Sequence, residues 1–345
     1  MRDGNGNALK RLPELLLPWF RENARNLPWR RDREPYHVWL SEIMLQQTRV
    51  EAARGYYERF IKALPDIPSL AAAPLDTVYK LWEGLGYYSR ARNLHTAARQ
   101  ILSEHGGVFP SGHDAIRALK GVGDYTAGAI ASICFGAPTP AVDGNVLRVV
   151  SRLTADGRPV NEGSTRSAVR AALAEIYPAG HCGEFTQALM ELGAVVCVPN
   201  GAPSCGACPV RALCASRDGD WKIFPVRAPK KARRQERLTV FLLTRGDAIA
   251  LRKRPDAGLL AGLWEFPNVP GHLAPEQAVS QAETWKLEPR ELLRETRRTH
   301  IFTHVEWDMR VYTLSVRAAG TDLVWAGESE LEQSYSLPTA FRKCL

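Results

Sequence analysis

Four cysteines lie close together in this 345-residue chain, and their grouping constrains its fold more than any other feature. The spacing Cys197-x7-Cys205-x2-Cys208-x5-Cys214 places four thiolates in one compact loop, which in a reducing compartment indicates metal binding rather than disulfides. Such a loop suits a cubane iron–sulfur cluster. A structural zinc site more often has two C-x2-C pairs separated by a longer insert, so iron–sulfur is favoured while zinc and no metal stay open.

The overall composition is that of a folded protein with a modest positive charge. The chain has 45 Lys and Arg against 37 Asp and Glu, a formal net charge of +8, and 45% hydrophobic residues. This excludes a disordered or fibrous chain and predicts two domains, or three if one is small. The basic excess favours an anionic partner, most commonly nucleic acid.

The sequence predicts neither a transmembrane span nor a signal peptide. The apolar run near the N-terminus is short and contains prolines, and no segment approaches the roughly 18 apolar residues that a spanning helix requires. We therefore expect a soluble cytoplasmic protein without membrane partners.

The hydrophobic periodicity changes along the chain. Residues 8–222 show apolar side chains at helical spacing, punctuated by Pro and Gly clusters, and predict a bundle of short helices. The segment KIFPVRAPKKARRQER (222–237) has seven basic residues, one acid and two prolines. It predicts an exposed linker over 223–237, either a simple solvated connector or a tether that contacts DNA.

Beyond the linker, residues 238–345 predict a mixed sheet with one helix. Alternating apolar segments at 238–244 and 248–254 flank a turn at 245–247, which is a hairpin signal. Further strands are expected at 264–266 and 305–316, and an amphipathic helix at 275–287.

A glycine-rich turn separates two helical patterns near the middle of the first region. In LKGVGDYTAGAI, Gly121 and Gly123 permit a tight turn that brings backbone N–H groups and a helix N-terminus against an anion. A backbone phosphate is the natural anion for a basic protein. Ordinary helix–helix turns also contain glycine, so this motif indicates phosphate binding only when other motifs in the sequence support it.

Two carboxylates have contrasting predicted environments. Asp143 precedes the helical segment GNVLRVVSRL, so it is expected either to be only a helix N-cap or to be an ionised carboxylate that faces developing positive charge. Glu42 lies among apolar residues of a helix, which should raise its pKa and hold a proton for donation. Such a pair suits an acid-assisted cleavage through an oxocarbenium-like state.

Several motifs together resemble the adenine DNA glycosylases of the MutY type. They are VWLSEIMLQQTRV (38–50), WEGLGYYSRARNLH (82–95), LKGVGDYTAGAI, AVDGNVLRVVSRL (141–153), the four cysteines, LLAGLWEFP (259–267) and THIFTHVEW (299–307). The resemblance implies a multidomain protein. An all-α helix-hairpin-helix region, with its hairpin near 115–135 and a [4Fe–4S] loop at 197–214, would precede an α+β Nudix-like domain.

This resemblance also implies the activity. Members of the family remove adenine mispaired with 8-oxoguanine or guanine, acting on a base flipped out of the duplex because a stacked base cannot be reached. Glu42 would protonate adenine, and Asp143, with Asn145 beside it, would stabilise the oxocarbenium ion. Tyr125 occupies the position where endonuclease III enzymes carry a lysine, which implies a monofunctional enzyme.

The remaining implied site residues contact DNA. Arg30 and Gln187 would lie near the adenine pocket, and Gln47, Thr48 and Tyr87 would wedge beside the opposing 8-oxoguanine. In the Nudix-like domain, Phe302, Thr303 and His304 would check the oxidised base. Arg90, Arg92 and Arg99 are expected to contact phosphates. The partner would be damaged duplex DNA bound by a monomer associated with the nucleoid.

Two departures from the family pattern limit these implications. The first cysteine gap has seven residues where six is more familiar, and a Pro/Gly loop can absorb the extra residue. After Gly271, the Nudix motif would need Glu where Gln277 stands and Arg-Glu where Trp285-Lys286 stand. Hydrolysis by this domain is therefore not expected. A bifunctional glycosylase/lyase and a non-catalytic DNA-binding protein remain alternatives.

Overall fold

The chain divides into two compact units in its computed structural model, which describes residues 8–217, 219–229, 232–320 and 322–345. Unit 1 takes in the described residues of Met1–Ala71 and Thr96–Pro229, and unit 2 those of Ala72–His95 and Lys230–Leu345. Unit 2 thus includes a segment of the predicted helical half. The domain limits drawn from the sequence stay a prediction.

The first two hundred residues are helical, as the periodicity predicts. The helices are α1 (Leu12–Asn23), α2 (Pro35–Leu45), α3 (Val50–Ala63), α4 (Ile67–Ala72), α5 (Leu75–Trp82), α6 (Ser89–Glu104), α7 (His113–Ala118), α8 (Asp124–Phe135), α9 (Gly144–Thr154), α10 (Gly163–Ala174) and α11 (Cys182–Glu191). A π-helical turn (Leu192–Val196) and short 3-10 turns at Cys205–Ala207, Arg211–Leu213 and Asp220–Lys222 follow.

The core of unit 1 forms where α1, α9, α10 and α11 bury their apolar faces together. Leu12, Leu16, Val146, Leu173 and Leu189 are each fully or almost fully buried in this cluster. Helix α11 also packs on α8, and α8 packs on α2. As a result, α2, α8 and α9, which carry the candidate carboxylates and Tyr125, share one helical framework.

Unit 2 contains the predicted mixed sheet. Its strands are β1 (Arg234–Arg245), β2 (Ala248–Lys253), β3 (Trp264–Glu265), β4 (Asn268–Pro270), β5 (Pro289–Ile301), β6 (Val305–Val316) and β7 (Val324–Ala326). The order is β3-β2-β1-β6-β5, with β4 paired to β1 and β7 to β2. Strands β1 and β6 are parallel, and the other pairs are antiparallel.

Both faces of this sheet are covered, which explains the continuous apolar run in β1. Val240 and Leu242 lie in one core with the helices α13 (Glu328–Gln333) and α14 (Thr339–Arg342). Phe241 and Leu243 point into a second core with α12 (Pro275–Thr284). Successive side chains of a strand face opposite sides, so a strand between two cores needs apolar residues at every position.

The sequence predicts most strands of unit 2 but misses β5. The hairpin is confirmed, since Thr244 pairs with Ile249 and Arg245 with Ala248 across a two-residue turn. Strand β5, PRELLRETRRTHI, pairs with β6 at the edge of the sheet and is largely exposed. Its charged sequence therefore lacks the alternation of a half-buried strand.

The predicted linker is in part a strand. Strand β1 begins at Arg234, inside the predicted linker range of 223–237, because that end of it pairs with β6. Residues 230 and 231 of the predicted linker lie outside the described residues. Among the described residues, no helix is both long and apolar enough to cross a membrane.

Candidate functional site

Glu42 lies in α2 with only 7% of its surface exposed, surrounded by buried neighbours of the same helix. The Tyr125 hydroxyl donates a hydrogen bond of 2.5 Å to its Oε2 atom. Burial raises the pKa of Glu42 from 4.5 to about 7, against the lowering effect of this hydrogen bond and with help from the charge of Asp143. The predicted environment of Glu42 is confirmed, and the carboxyl can hold a proton near neutral pH.

Asp143 is the N-cap of α9, as the sequence predicts. Its Oδ1 accepts a hydrogen bond of 2.7 Å from the Val146 backbone N–H, and its Oδ2 accepts one of 2.7 Å from Asn145 Nδ2. Burial nevertheless raises the pKa of Asp143 above its ordinary value, and these donors only oppose the shift. The expectation that capping alone keeps Asp143 ionised therefore omitted the cost of burial.

A close backbone contact brings the Tyr125 helix against the segment that leads to Asp143. A Cβ atom at Gly128 in α8 would lie 2.6 Å from the Pro140 carbonyl oxygen, too close for any side chain. Tyr125 lies one helical turn before Gly128. Burial, followed by the charges of Glu42 and Asp143, raises the pKa of Tyr125 well above its usual value, so the phenol stays a neutral donor.

Asn145 joins Asp143 to the cysteine loop through Arg148. Arg148 Nη2 donates to Asn145 Oδ1 at 2.8 Å and to the Gly193 carbonyl at 2.7 Å. Its Nε donates to the carbonyl of Cys197 at 2.7 Å. A continuous chain of hydrogen bonds thus runs from a candidate catalytic carboxylate to the backbone of a candidate metal ligand.

Glu191 is a buried carboxylate that no sequence pattern predicted. It has no exposed surface and accepts hydrogen bonds from Arg25 at 2.7 and 2.9 Å and from Arg30 at 2.8 Å. Although burial acts to raise its pKa, these donors outweigh burial and lower the pKa to about 2. The partners are more than 160 positions away in sequence, so no local pattern could have indicated the cluster. Arg30, predicted near the adenine pocket, is therefore held by Glu191.

The four predicted cysteines surround one cavity. Cys197, Cys205, Cys208 and Cys214 line it together with Arg152, Arg211 and Trp221. Arg152 Nη1 donates to Cys197 Sγ at 3.3 Å, and the backbone N–H groups of Val210 and Ser216 donate to Cys208 and Cys214. Cationic and N–H donors around thiolates fit an anionic iron–sulfur cluster.

The choice between an iron–sulfur cluster and zinc stays a prediction from the cysteine spacing. Among the described residues, no group of three or more His, Cys, Asp or Glu side chains is arranged to hold a metal ion.

The predicted hairpin joins α7 and α8. Gly121 has a φ of +79° in the turn, and Gly123 is the N-cap of α8 with extended backbone. Both glycines are exposed. Asp124, the first residue of α8, forms ion pairs with Arg117 at 2.5 Å and with Arg170 at 2.7 Å. The hairpin therefore faces solvent and has both positive and negative side chains beside it.

In unit 1, Gln47 follows α2 in the left-handed region, with a φ of +59°, and is exposed. Thr48 is partly buried, and its backbone N–H donates to the Leu45 carbonyl at 3.2 Å. Gln187 lies in α11, partly buried. A non-glycine residue in the left-handed region is uncommon and is often found at functional sites.

Unit 2 brings together two residues that the sequence places far apart. The hydroxyl groups of Tyr87 and Thr303 lie 2.9 Å apart within hydrogen-bonding distance. Tyr87 is 47% exposed with a φ of +47°. Phe302, Thr303 and His304 form the turn between β5 and β6, closed by a bond of 2.8 Å from Phe302 N to the Val305 carbonyl.

Arg90, which was expected to contact phosphate, is buried in the structure. It is 8% exposed, and its Nη2 donates to the carbonyls of Leu85 at 3.1 Å and Gly86 at 3.0 Å. Its guanidinium also lies 5.6 Å from the centre of the Tyr87 ring. The prediction that Arg90 contacts phosphate is therefore wrong, because this cation is buried under the loop that carries Tyr87.

Comparisons with known proteins agree with this architecture. Residues 40–179 match the sequence model of the HhH-GPD superfamily base excision DNA repair proteins, and residues 239–345 match that of the NUDIX domain. In structure, the chain resembles a thermostable thymine-DNA glycosylase with a TM-score of 0.56 and 27% identity, which covers 63% of this chain and 99% of that one. An endonuclease III–DNA complex, at 23% identity and a TM-score of 0.52, shares the fold.

Curated relatives extend the similarity over most of the chain. The adenine DNA glycosylase of Rattus norvegicus is 35% identical, covering 87% of this chain and 70% of the relative. That of Schizosaccharomyces pombe is 32% identical, covering 94% of this chain and 86% of the relative. Together with the helical framework, the carboxylate site and the Nudix-like sheet, these similarities show that the chain belongs to the adenine DNA glycosylase family.

Proposed function

We propose that this chain is a monofunctional glycosylase that removes adenine mispaired with 8-oxoguanine or guanine from duplex DNA. Glu42 is the general acid, and Asp143 stabilises the positive charge that develops on the sugar. Arg30 and Gln187 hold the extruded adenine. The hairpin glycines 121 and 123 bind backbone phosphate, and unit 2 reads the opposing base.

One observation carries this proposal: two buried carboxylates in unit 1 interact electrostatically but have different donors. Glu42 accepts its hydrogen bond from a phenol and has a pKa near 7. Asp143 accepts bonds from a backbone N–H and an amide. Two carboxyl groups that accept hydrogen bonds from different donors can act as proton donor and as charge stabiliser in one reaction.

The proposed chemistry assigns a proton to Glu42 and a negative charge to Asp143. Glu42 donates its proton to the adenine ring, so that the bond from C1′ to the base breaks with a neutral leaving group. The bonding electrons leave with adenine, and C1′ becomes oxocarbenium-like. The ionised Asp143 stabilises this cation electrostatically or through a transient bond. Water then adds to C1′ and loses a proton, and any transient bond from C1′ to Asp143 breaks, which leaves an abasic site.

Tyr125 supports a monofunctional reaction. A lyase step needs an amine that attacks C1′ and forms a Schiff base. The α8 position facing Glu42 carries a phenol, and Lys120 is exposed on the far side of the hairpin turn. We therefore expect no strand cleavage beyond that caused by alkali.

The four cysteines are proposed to hold a [4Fe–4S] cluster through their Sγ atoms, with Arg152 donating to Cys197. The cluster would fix the loop 197–214 beside α9, whose Arg152 lines the same cavity. Analysis of the purified protein should find about four iron and four sulfide per chain, with a visible absorption band that chelation removes. One zinc per chain and no sulfide would overturn this assignment.

Unit 2 is proposed to recognise the oxidised base through Tyr87, Phe302, Thr303 and His304, while Gln47 and Thr48 wedge into the stack from unit 1. Exposed, conformationally strained aromatic and amide side chains can replace lost stacking and base-pair hydrogen bonds. Magnesium-dependent hydrolysis is not part of this role, because the acidic residues of the Nudix motif are missing. A monomeric, nucleoid-associated, cytoplasmic enzyme stays a prediction.

A panel of duplexes tests the proposal. The protein, loaded with its cluster, is incubated with duplexes carrying adenine opposite 8-oxoguanine, guanine, thymine or cytosine. We expect adenine release opposite 8-oxoguanine and, more slowly, guanine, with strand breaks only after alkali. No release from any duplex would refute a glycosylase, and efficient trapping of a protein–DNA adduct by borohydride would instead indicate a lyase.

Replacing Tyr125 by phenylalanine should shift the pH profile of adenine release to higher pH. The Tyr125 hydroxyl stabilises the ionised form of Glu42, so its removal raises the pKa of Glu42 further above 7. Single-turnover rates between pH 5 and 9 should therefore decline at a higher pH than in the parent. A shift to lower pH would show that the hydroxyl has another role.

Replacing Gly123 by alanine should weaken DNA binding without unfolding the protein. A Cβ atom at Gly123 meets no atom within 4 Å, and the residue has an ordinary extended backbone. The free protein therefore does not need glycine there, whereas a phosphate against the N-terminus of α8 does. We expect about tenfold weaker binding to an uncleavable duplex, as for loss of one charged hydrogen bond, measured by titration, with only a small decrease in melting temperature because alanine is a poorer N-cap than glycine. Equal affinity for DNA would place the phosphate elsewhere.

A further inference from the structure

Glu83 is the C-cap of α5 and the last residue before the loop that carries Tyr87. A carboxylate at a helix C-terminus is disfavoured by the negative end of the helix dipole. Its side chain is only 15% exposed, so a carboxylate at this position must be compensated by other contacts.

Those contacts come from residues far along the chain but within unit 2. Glu83 Oε1 accepts hydrogen bonds from Arg342 Nε at 2.9 Å, from Arg342 Nη2 at 2.7 Å and from the Leu337 backbone N–H at 3.0 Å. Its Oε2 contacts Lys80 Nζ at 2.6 Å. Because Arg342 belongs to α14, the carboxylate ties the end of α5 to the helix that covers one face of the sheet.

The loop after Glu83 has a strained backbone that requires support. Gly84, Gly86 and Tyr87 have φ values of +100°, +72° and +47°. For the tyrosine, this conformation costs energy that surrounding contacts must offset. Arg90 supports the middle of the loop through the Leu85 and Gly86 carbonyls, and Thr303 contacts the Tyr87 hydroxyl at its end. Glu83 fixes its beginning.

We propose that Glu83 and Arg342 are positioning residues that set the preference for 8-oxoguanine. They would do so by holding the Tyr87 loop where the Tyr87 hydroxyl reaches the hydroxyl of Thr303. This inference rests on the proposed function of Tyr87 and Thr303 as readers of the opposing base. Neither Glu83 nor Arg342 contacts DNA in this proposal. They act by fixing where the Tyr87 ring and hydroxyl lie before the duplex arrives.

A second ion pair on the same helix provides the matched control. At the other end of α5, Asp76 pairs with Lys253 of β2 at 2.9 Å, also within unit 2. This pair is 43% and 46% exposed and does not adjoin the Tyr87 loop. If these ion pairs only attached α5 to the sheet, removal of either one would have the same consequence.

The experiment compares Arg342→Gln, Glu83→Gln and Lys253→Gln in the full-length protein. For each, single-turnover rates of adenine release are measured opposite 8-oxoguanine and opposite guanine. We expect the ratio of the two rates to fall about tenfold in the first two variants, as for loss of a partly buried charged hydrogen bond. Lys253→Gln should leave the ratio unchanged, because the Asp76–Lys253 pair lies at the far end of α5 from the Tyr87 loop.

Two further variants separate positioning from general destabilisation. Arg342→Lys keeps the charge but loses the two-nitrogen contact, so its ratio should be intermediate. In a Tyr87→Ala background, Glu83→Gln should have no additional effect on the ratio, since the two act through one side chain. Melting temperatures and rates opposite guanine report any loss of folded protein.

The outcomes distinguish this inference from the function on which it depends. If the parent protein does not discriminate between 8-oxoguanine and guanine, the proposed reading function itself fails. If the parent discriminates but Glu83→Gln and Arg342→Gln keep its ratio, or if Lys253→Gln lowers the ratio equally, the positioning role is wrong while the reading function stands.

Discussion

Replacing Glu42 by glutamine is expected to slow adenine release by about 10³-fold and, at the same time, to stabilise the folded protein at alkaline pH. The loss of rate follows because an amide has no proton of suitable acidity to donate, and general acid catalysis contributes roughly 10²–10⁴-fold. Single-turnover assays on a duplex with adenine opposite 8-oxoguanine measure it.

The stabilising effect follows from the raised pKa of Glu42. In the folded protein this pKa is about 7, against 4.5 for an ordinary glutamate. Folding therefore favours the protonated form, and the stability this contributes is fully present below pH 4.5 and is lost as pH rises through 7. Glutamine cannot ionise, so the variant should gain about 3 kcal/mol relative to the parent between these limits.

Urea unfolding of the parent and the variant at intervals between pH 4.5 and 8 tests this pH dependence. Cys134→Ser provides a control, because it lies in α8 near Glu42 and carries no proposed role. Its stability difference from the parent should not follow the titration of Glu42. A difference between parent and Glu42→Gln that is constant with pH would show that Glu42 ionises normally and cannot be the acid.

Asparagine in place of Asp143 is expected to lower the rate of adenine release by about 10²–10³-fold or more while leaving the fold intact. Asparagine caps a helix as well as aspartate does, so the bond to the Val146 N–H, 2.7 Å in the parent, can persist. The negative charge that stabilises the oxocarbenium ion is lost. Preorganised electrostatic stabilisation of this kind contributes roughly 10²–10³-fold or more.

Asp143→Ala is the informative companion variant. It removes both the charge and the cap, so it should lose activity to the same extent and also about 1 kcal/mol of stability. Both variants should still bind an uncleavable duplex, because the hairpin and unit 2 are unchanged. Retention of activity in Asp143→Asn would favour a protein in which Asp143 is only a helix cap.

Local sequence patterns predicted the parts of the site that depend on nearest neighbours. Glu42 is surrounded by apolar residues of its own helix, so its burial could be inferred from spacing alone. Asp143 precedes a helical segment after a proline-rich loop, so its capping role could be inferred as well. The cysteine spacing likewise placed four ligands in one loop, because few residues separate them.

Contacts between distant segments could not be inferred in this way. Glu191 and Arg30 are more than 160 residues apart, and nothing in either local sequence indicates the other. Arg90 was expected to face phosphate, since it follows an aromatic motif in a basic protein. Its burial depends on how the loop of residues 84–87 folds back over it.

Periodicity and short spacing were enough to predict the helical and sheet-forming halves, the glycine hairpin, the cysteine loop, the burial of Glu42 and the capping role of Asp143. The packing of distant segments places the Tyr125 phenol on Glu42 and residues 72–95 in the same unit as the Nudix-like sheet. It also brought the hydroxyls of Tyr87 and Thr303 within 2.9 Å. These contacts depend on how separate elements pack, and burial then sets the protonation states on which the proposed chemistry rests.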